Sequence, residues 1–117
     1  MSINPKPTAS SYFAATGAFR DGTDSPRAFL ERCLESIANH EPNIGAFVAT
    51  NVEAARVTAD AASERWKSAS MLSLIDGMPI GIKDIMETHD MVTEQGSPLF
   101  EGWRMGRDSA AAAALRE

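Results

Sequence analysis

The apolar positions of this chain recur at helical spacing through much of its first two thirds. Phe29, Leu30, Cys33, Leu34 and Ile37 follow one another at the intervals of a single helix face. Ser25-Pro26 ahead of them supplies an N-cap followed by proline at the first helical position. This pattern predicts a helix from Pro26 to about His40, stopped by Glu41-Pro42-Asn43. A second stripe, Val52, Ala55, Ala59, Ala62 and Trp66, predicts a helix that Asn51 caps and that runs to about Ser68. Alanine dominates this stripe, so a partner element can approach closely, while Arg56, Asp60, Glu64 and Lys67 fall on other faces and read as solvated. Phe13, Ala14 and Phe19 suggest a shorter helix between Ala9 and Arg20, weakened by Gly17. Asp21 to Asp24 reads as a turn, and residues 1–8, with Pro5 and Pro7, as an arm.

Elsewhere the period changes. Ile44 to Thr50, IGAFVAT, has the length and the aromatic and β-branched content of a strand. Pro79 to Ile85 predicts a second strand interrupted by Lys83 and Asp84, and Met91 to Thr93 a short third one within a loop. Asp108 or Ser109 can cap a helix with the body AAAALRE, which reaches Glu117 without a glycine, a cap or a proline. So short an isolated helix is marginal in water, and the chain reads as cut, its last helix expecting a continuation or another surface. The expected fold class is α/β, with N-terminal helices and the first strands of a larger sheet, in one incomplete domain over residues 9–117.

Composition narrows the function. The chain has 117 residues, 44% of them hydrophobic, enough for a core. Sixteen acidic against eleven basic residues give a net charge of -5, and no run of Lys or Arg marks a nucleic-acid footprint. MSINPKPTASS lacks the charged start and apolar stretch of a signal peptide, and no segment approaches the about 20 apolar residues needed to cross a bilayer. A cytoplasmic protein with neither nucleic-acid nor membrane partners is expected. Cys33 is the single cysteine, which excludes an internal disulfide, and its helical spacing makes it a small buried hydrophobe. His40 and His89 are the two histidines, too far apart to suggest a metal site, and His89 reads as a loop residue.

The chemistry concentrates in DGMPIGIKD, residues 76–84. Lys83 ends an apolar run whose other charge is Asp76, with Ile80 and Ile82 flanking Gly81. A phosphate-binding loop is excluded, because three residues instead of four separate Gly77 from Gly81 and Ile82 precedes the lysine. Two readings stay open. Lys83 is either a strand-end lysine whose stem lies on apolar surface while the amine reaches water, or a lysine drawn out of water, whose lowered pKa makes it a usable base. A base needs a nucleophile, and among Ser70, Ser73, Ser97 and Ser109 none lies in a glycine-rich turn beside oxyanion-binding amides. Ser97, fixed between Gly96 and Pro98, is the best local candidate.

The stretch from Leu74 to Glu117 resembles the amidase signature family of serine hydrolases. That family carries a G-x-P-x-x-x-K-D segment, a T-x-x-G-S loop and a D-[AS]-x-x-x-x-x-L-R helix. Gly77, Pro79, Lys83, Asp84, Thr93, Gly96, Ser97, Asp108, Leu115 and Arg116 match in order. SPRAFLERCLESIANHEPNIGAFVAT upstream also resembles the family's N-terminal helix and first strand. The resemblance implies a Ser-cis-Ser-Lys triad that cleaves a carboxamide through an acyl-enzyme, without a cofactor or metal, on a small-molecule amide. In it Lys83 is the matching general base, and both serines belong to a Gly/Ser-rich segment that these residues do not contain. By themselves they are then expected to be inactive and to associate with a second copy or with the remaining polypeptide. A non-catalytic module of the same topology, acting in self-association or partner binding, is the alternative.

Overall fold

The computed structural model describes residues 9–117; the arm expected at 1–8 lies outside the described residues. Four α-helices follow in chain order, α1 (Tyr12–Asp21), α2 (Pro26–Ile44), α3 (Val52–Lys67) and α4 (Ala110–Arg116), with a short 3-10 helix at Pro98–Phe100 before the last. The described residues divide into two compact units, one of residues 9–44 and 53–79 and one of residues 45–52 and 80–117.

The first unit is built from α1, α2 and α3. Ser11 Oγ accepts the Ala14 N–H at the start of α1, and Gly22, at φ +81°, closes its end with an N–H to the Ala18 carbonyl. Ser25 caps α2 as expected: its hydroxyl accepts the Ala28 N–H at 3.1 Å. Pro42 does not end α2. It removes one amide donor from the last turn, and the helix runs on to Ile44 before Gly45 leaves it at φ +63°. On α3 the predicted stripe faces inward, with Ala59, Ala62 and Trp66 buried.

Four rings form the core: Tyr12, Phe19, Phe29 and Trp66, with Ala15, Cys33, Met71 and Met78 packed against them. Their centroids lie 5.0–6.5 Å apart at steep interplanar angles, the edge-to-face geometry that ring quadrupoles favour. Cys33 packs there as a half-buried free thiol, and burial raises its pKa. Arg27 pairs with Asp60 at 2.6 Å, and Arg56 with Glu31 at 2.8 Å, so α2 and α3 are also joined across their polar edges.

Asp76 closes this unit. Its carboxylate takes both arms of the Arg65 guanidinium at 2.7 Å and the Leu72 N–H at 3.1 Å. Its backbone carbonyl accepts the Trp66 indole N–H at 2.9 Å and the Tyr12 hydroxyl. The Arg65 hydrogen bonds hold the Asp76 carboxyl below its ordinary pKa. Burial, reinforced by the Asp76 charge, raises the Tyr12 phenol to about 12. Gly77 follows at φ +86°, so close to α2 and α3 that a Cβ would lie 2.9 Å from Pro26 Cβ and 2.6 Å from Ala62 Cβ. Only glycine fits there without displacing its neighbours.

The second unit shows none of the strands that the α/β expectation called for. Among the described residues there is no strand: Ile44 ends a helix, and the rest of Ile44 to Thr50, together with Pro79 to Ile85 and Met91 to Thr93, makes no β ladder. The side-chain pattern of a strand is present, but a ladder needs a neighbour about 4.8 Å away with matching N–H and C=O groups, and Pro79 lacks a donor. Turns organise this unit instead. The buried residues here are Thr88, Thr93 and Ala112. Ser109 caps α4 through its hydroxyl to the Ala112 N–H, and its own N–H donates to the Glu87 carbonyl at 2.8 Å.

Candidate functional site

Lys83 lies in the second unit, on the wall of a groove of about 270 Å³. Phe47, Val48, Ile82, Met86 and Met91 supply apolar surface, and Lys83, Asp84 and Thr88 the polar groups. Of the two readings of Lys83, the one in which its amine reaches water matches the structure, and the one that withdraws it does not. The residue is exposed, because no sheet closes around it, and of its two neighbours Ile82 is half-buried. Its carbonyl accepts the Met86 N–H at 2.9 Å, so the chain turns sharply just after the lysine.

Asp84 is tied to the loop that contains Ser97. Asp84 Oδ1 accepts the Glu94 N–H at 2.8 Å, and its carbonyl accepts the Gln95 N–H at 2.9 Å. Gln95 and Gly96 have φ of +55° and +66°, and Ser97 N–H donates to the Glu94 carbonyl at 3.0 Å, closing a tight turn with two left-handed central residues. Thr93 N–H reaches the Trp103 carbonyl at 2.9 Å. Ser97 Oγ accepts the Leu99 N–H at 3.3 Å, so this hydroxyl caps the 3-10 helix. Asp84 Oδ2 and Thr93 Oγ1 are buried without a hydrogen-bond partner.

A second cluster joins residues far apart in sequence. His89, Asp90 and Asp108 bring ligand-type atoms within 4.8 Å of one another. Arg116 from α4 contacts Asp90 Oδ1 and Asp108 Oδ2, each at 2.8 Å, so a protein cation already serves these carboxylates. His89 N–H donates to Asp108 Oδ1 at 2.8 Å, and this bond leads the lowering of the Asp108 pKa. Burial opposes ionisation of Asp90, but the Asn51 amide at 2.8 Å and Arg116 outweigh it, and its pKa is lowered. The two histidines gave no hint of this cluster in the sequence, because its acids and its arginine lie up to 26 positions apart with no period linking them. The Asp84 contacts span ten and eleven positions and were equally invisible.

The second unit thus carries an exposed lysine beside an apolar groove, followed by a loop whose serine caps a 3-10 helix and by an alanine helix. The sequence model of the family described as Amidase matches residues 28–117. The chain belongs to the amidase family, as the Leu74 to Glu117 motifs had implied. It is 41% identical over 91 residues to a glutamyl-tRNA(Gln) amidotransferase subunit of Chloroflexus aggregans, covering 78% of this chain and 19% of that protein. The protein of the same name from Mycobacterium ulcerans is 42% identical over 98 residues, 79% of this chain and 19% of the relative. That from Myxococcus xanthus is 34% identical over 96 residues, 82% and 20% respectively. The chain thus spans about a fifth of the length of these relatives. No solved structure matches it. Among the described residues no helix is long and apolar enough to cross a membrane.

Proposed function

We propose that these residues are the lysine-bearing portion of an enzyme that breaks a carboxamide C–N bond by a Ser-cis-Ser-Lys mechanism. The observation that carries this reading is Lys83 itself: an exposed amine on the wall of an apolar groove, in the K-D position of a family match that spans residues 28–117. In this mechanism Lys83, covered in the complete enzyme by polypeptide outside these residues, takes a proton from a bridging serine as that serine takes one from the nucleophilic serine. The nucleophile's oxygen bonds to the amide carbon, the C–N bond breaks, and the amine leaves with the returned proton. Water then cleaves the acyl-serine ester. Both serines and the amides that stabilise the oxyanion come from a Gly/Ser-rich segment not among these 117 residues. Ser97, whose hydroxyl caps the 3-10 helix, is not the nucleophile. The relatives are named as subunits of a glutamyl-tRNA(Gln) amidotransferase, and on this reading the nitrogen released from the cleaved amide feeds an amide transfer within a multi-subunit assembly.

The same reading assigns the apolar surface of the second unit to a covering polypeptide. Phe47, Val48, Ile80, Ile85, Leu99 and Trp103 are all exposed, Leu99 to 91%, a density of apolar groups that favours association. The remaining polypeptide of the enzyme or a second copy fills this role, and sedimentation equilibrium of the pure chain reads it out as self-association. The nucleophile assignment is tested by treating the 117-residue chain with a serine-reactive fluorophosphonate. Mass spectrometry should find no adduct. Stoichiometric labelling of Ser97 would replace the triad with a local Ser-Lys pair.

A further inference from the structure

Three consecutive amides hold the loop after Met91 in place, and Asp84 accepts two of them. Thr93 N–H goes to the Trp103 carbonyl, Glu94 N–H to Asp84 Oδ1 and Gln95 N–H to the Asp84 carbonyl. The turn they hold is one the sequence does not favour by itself, since Gln95 adopts a left-handed conformation that non-glycine residues avoid. Something must over-determine such a turn for it to persist. The residue that does so is covalently next to Lys83, and the Lys83 carbonyl is itself fixed by the Met86 N–H. Thr93, at the start of this loop, is only 1% exposed.

We propose that Asp84 is a positioning residue: its carboxylate and carbonyl staple the Thr93–Ser97 loop to the Lys83 segment and so fix the direction in which the lysine leaves the backbone. In this role Asp84 acts through the loop and not on the reacting atoms. The orphaned Oδ2 explains why one oxygen suffices. Oδ1 makes the side-chain bond, and an asparagine whose Oδ1 keeps that place would put its amide nitrogen where Oδ2 now lies without a partner. The proposal rests on the reading of Lys83 as the base, but its first test does not.

Amide hydrogen exchange on the 117-residue chain provides that test. Asp84→Ala should speed exchange at Glu94 about tenfold, as expected for losing a side-chain hydrogen bond, while Gln95, whose acceptor is the backbone carbonyl that alanine keeps, should change less. Amides of α1 and α3 should keep their protection, and Asp84→Asn should stay close to wild type. If Asp84→Ala unfolds the whole chain, Asp84→Asn still decides. Unchanged protection at Glu94 in the alanine variant, or exchange in the asparagine variant as fast as in alanine, overturns the staple. The functional arm uses a fusion of these residues to the remaining chain of one of the amidotransferase relatives. Asp84→Ala should lower kcat about tenfold with KM within about twofold, and Asp84→Asn should restore it. A kcat unchanged in the alanine variant, or lost equally in the asparagine variant, overturns positioning. Turnover that survives Lys83→Ala overturns the base assignment alone, because the exchange result concerns the loop.

Discussion

Replacing Gly77 with alanine tests the packing of the first unit at its tightest point. Two penalties add. The residue sits at φ +86°, and an L side chain in the left-handed region costs about 1–2 kcal/mol. The new methyl would also stand 2.6 Å from Ala62 Cβ and 2.9 Å from Pro26 Cβ. Neither neighbour is the end of a flexible side chain, so relief requires α2 or α3 to move, and overpacking of this kind costs about 1–3 kcal/mol. The sum is about 2–5 kcal/mol, a large part of the roughly 5–15 kcal/mol by which a domain is stable. Urea unfolding followed by tryptophan fluorescence should show the midpoint falling by about 1–2.5 M, given a slope of about 2 kcal/mol per M. Two controls separate the penalties. Gly22→Ala, at φ +81° with nothing within 4 Å of the new atom, isolates the backbone part and should cost about 1–2 kcal/mol. Gly81→Ala, which also meets nothing within 4 Å, should change stability by about 0.5 kcal/mol or less. A Gly77→Ala midpoint no lower than that of Gly22→Ala would refute the close approach of Asp76-Gly77 to α2 and α3.

The first unit should also lose stability in alkali through Tyr12. The folded pKa is raised from 10.0 to about 12, so the stabilisation is complete below pH 10 and is lost as pH rises through about 12. Its upper limit is about 2.7 kcal/mol. As the chain has one tyrosine, phenolate absorbance reports the group directly, and a midpoint near 10 with the fold intact would refute its burial against Asp76. Asp76 gives the opposite limb. Its depressed pKa contributes stability that is present above pH 3.8 and is lost as pH falls through the lower folded value. Asp76→Asn should abolish that acid limb and cost about 2–4 kcal/mol, read by urea unfolding at pH 7; a variant as stable as wild type refutes the hub. Arg116→Ala should fray α4, since seven residues make a marginal helix without the Asp90 and Asp108 contacts. Exchange at Ala113 as slow as in wild type would show that the helix does not need its arginine.

What the sequence made legible was local. The stripe at Ala59, Ala62 and Trp66, the Ser25 and Ser109 caps and the packing of Cys33 depend on neighbours within a helical turn or two, and each was readable from spacing. Pro42 misled because a proline near a helix end removes only one donor, and the exit at Gly45 was the stronger signal. The strands failed for a different reason. Residues 44–50 and 79–85 carry the composition of strands, but strand formation depends on partners that composition does not name. At the candidate site, Lys83 stood out because an isolated charge in an apolar run is visible in one dimension. Asp84 as a staple and Arg116 as a clasp depend on backbone amides and on contacts up to 26 positions away, which no periodicity encodes.

The central claim is that Lys83 is the general base of a carboxamide hydrolase. The fusion that joins these residues to the remaining chain of an amidotransferase relative makes it measurable, as ammonia release from an amide substrate by the parent fusion and by its Lys83→Ala and Lys83→Arg variants. Because Lys83 is exposed and outside the packed first unit, circular dichroism and thermal melting should match the parent. Turnover should fall about a hundredfold or more in both variants, since neither methyl nor guanidinium can accept the serine proton. A Lys83→Ala fusion that keeps more than about a tenth of the parent rate, less loss than removal of a general base gives, would contradict the claim.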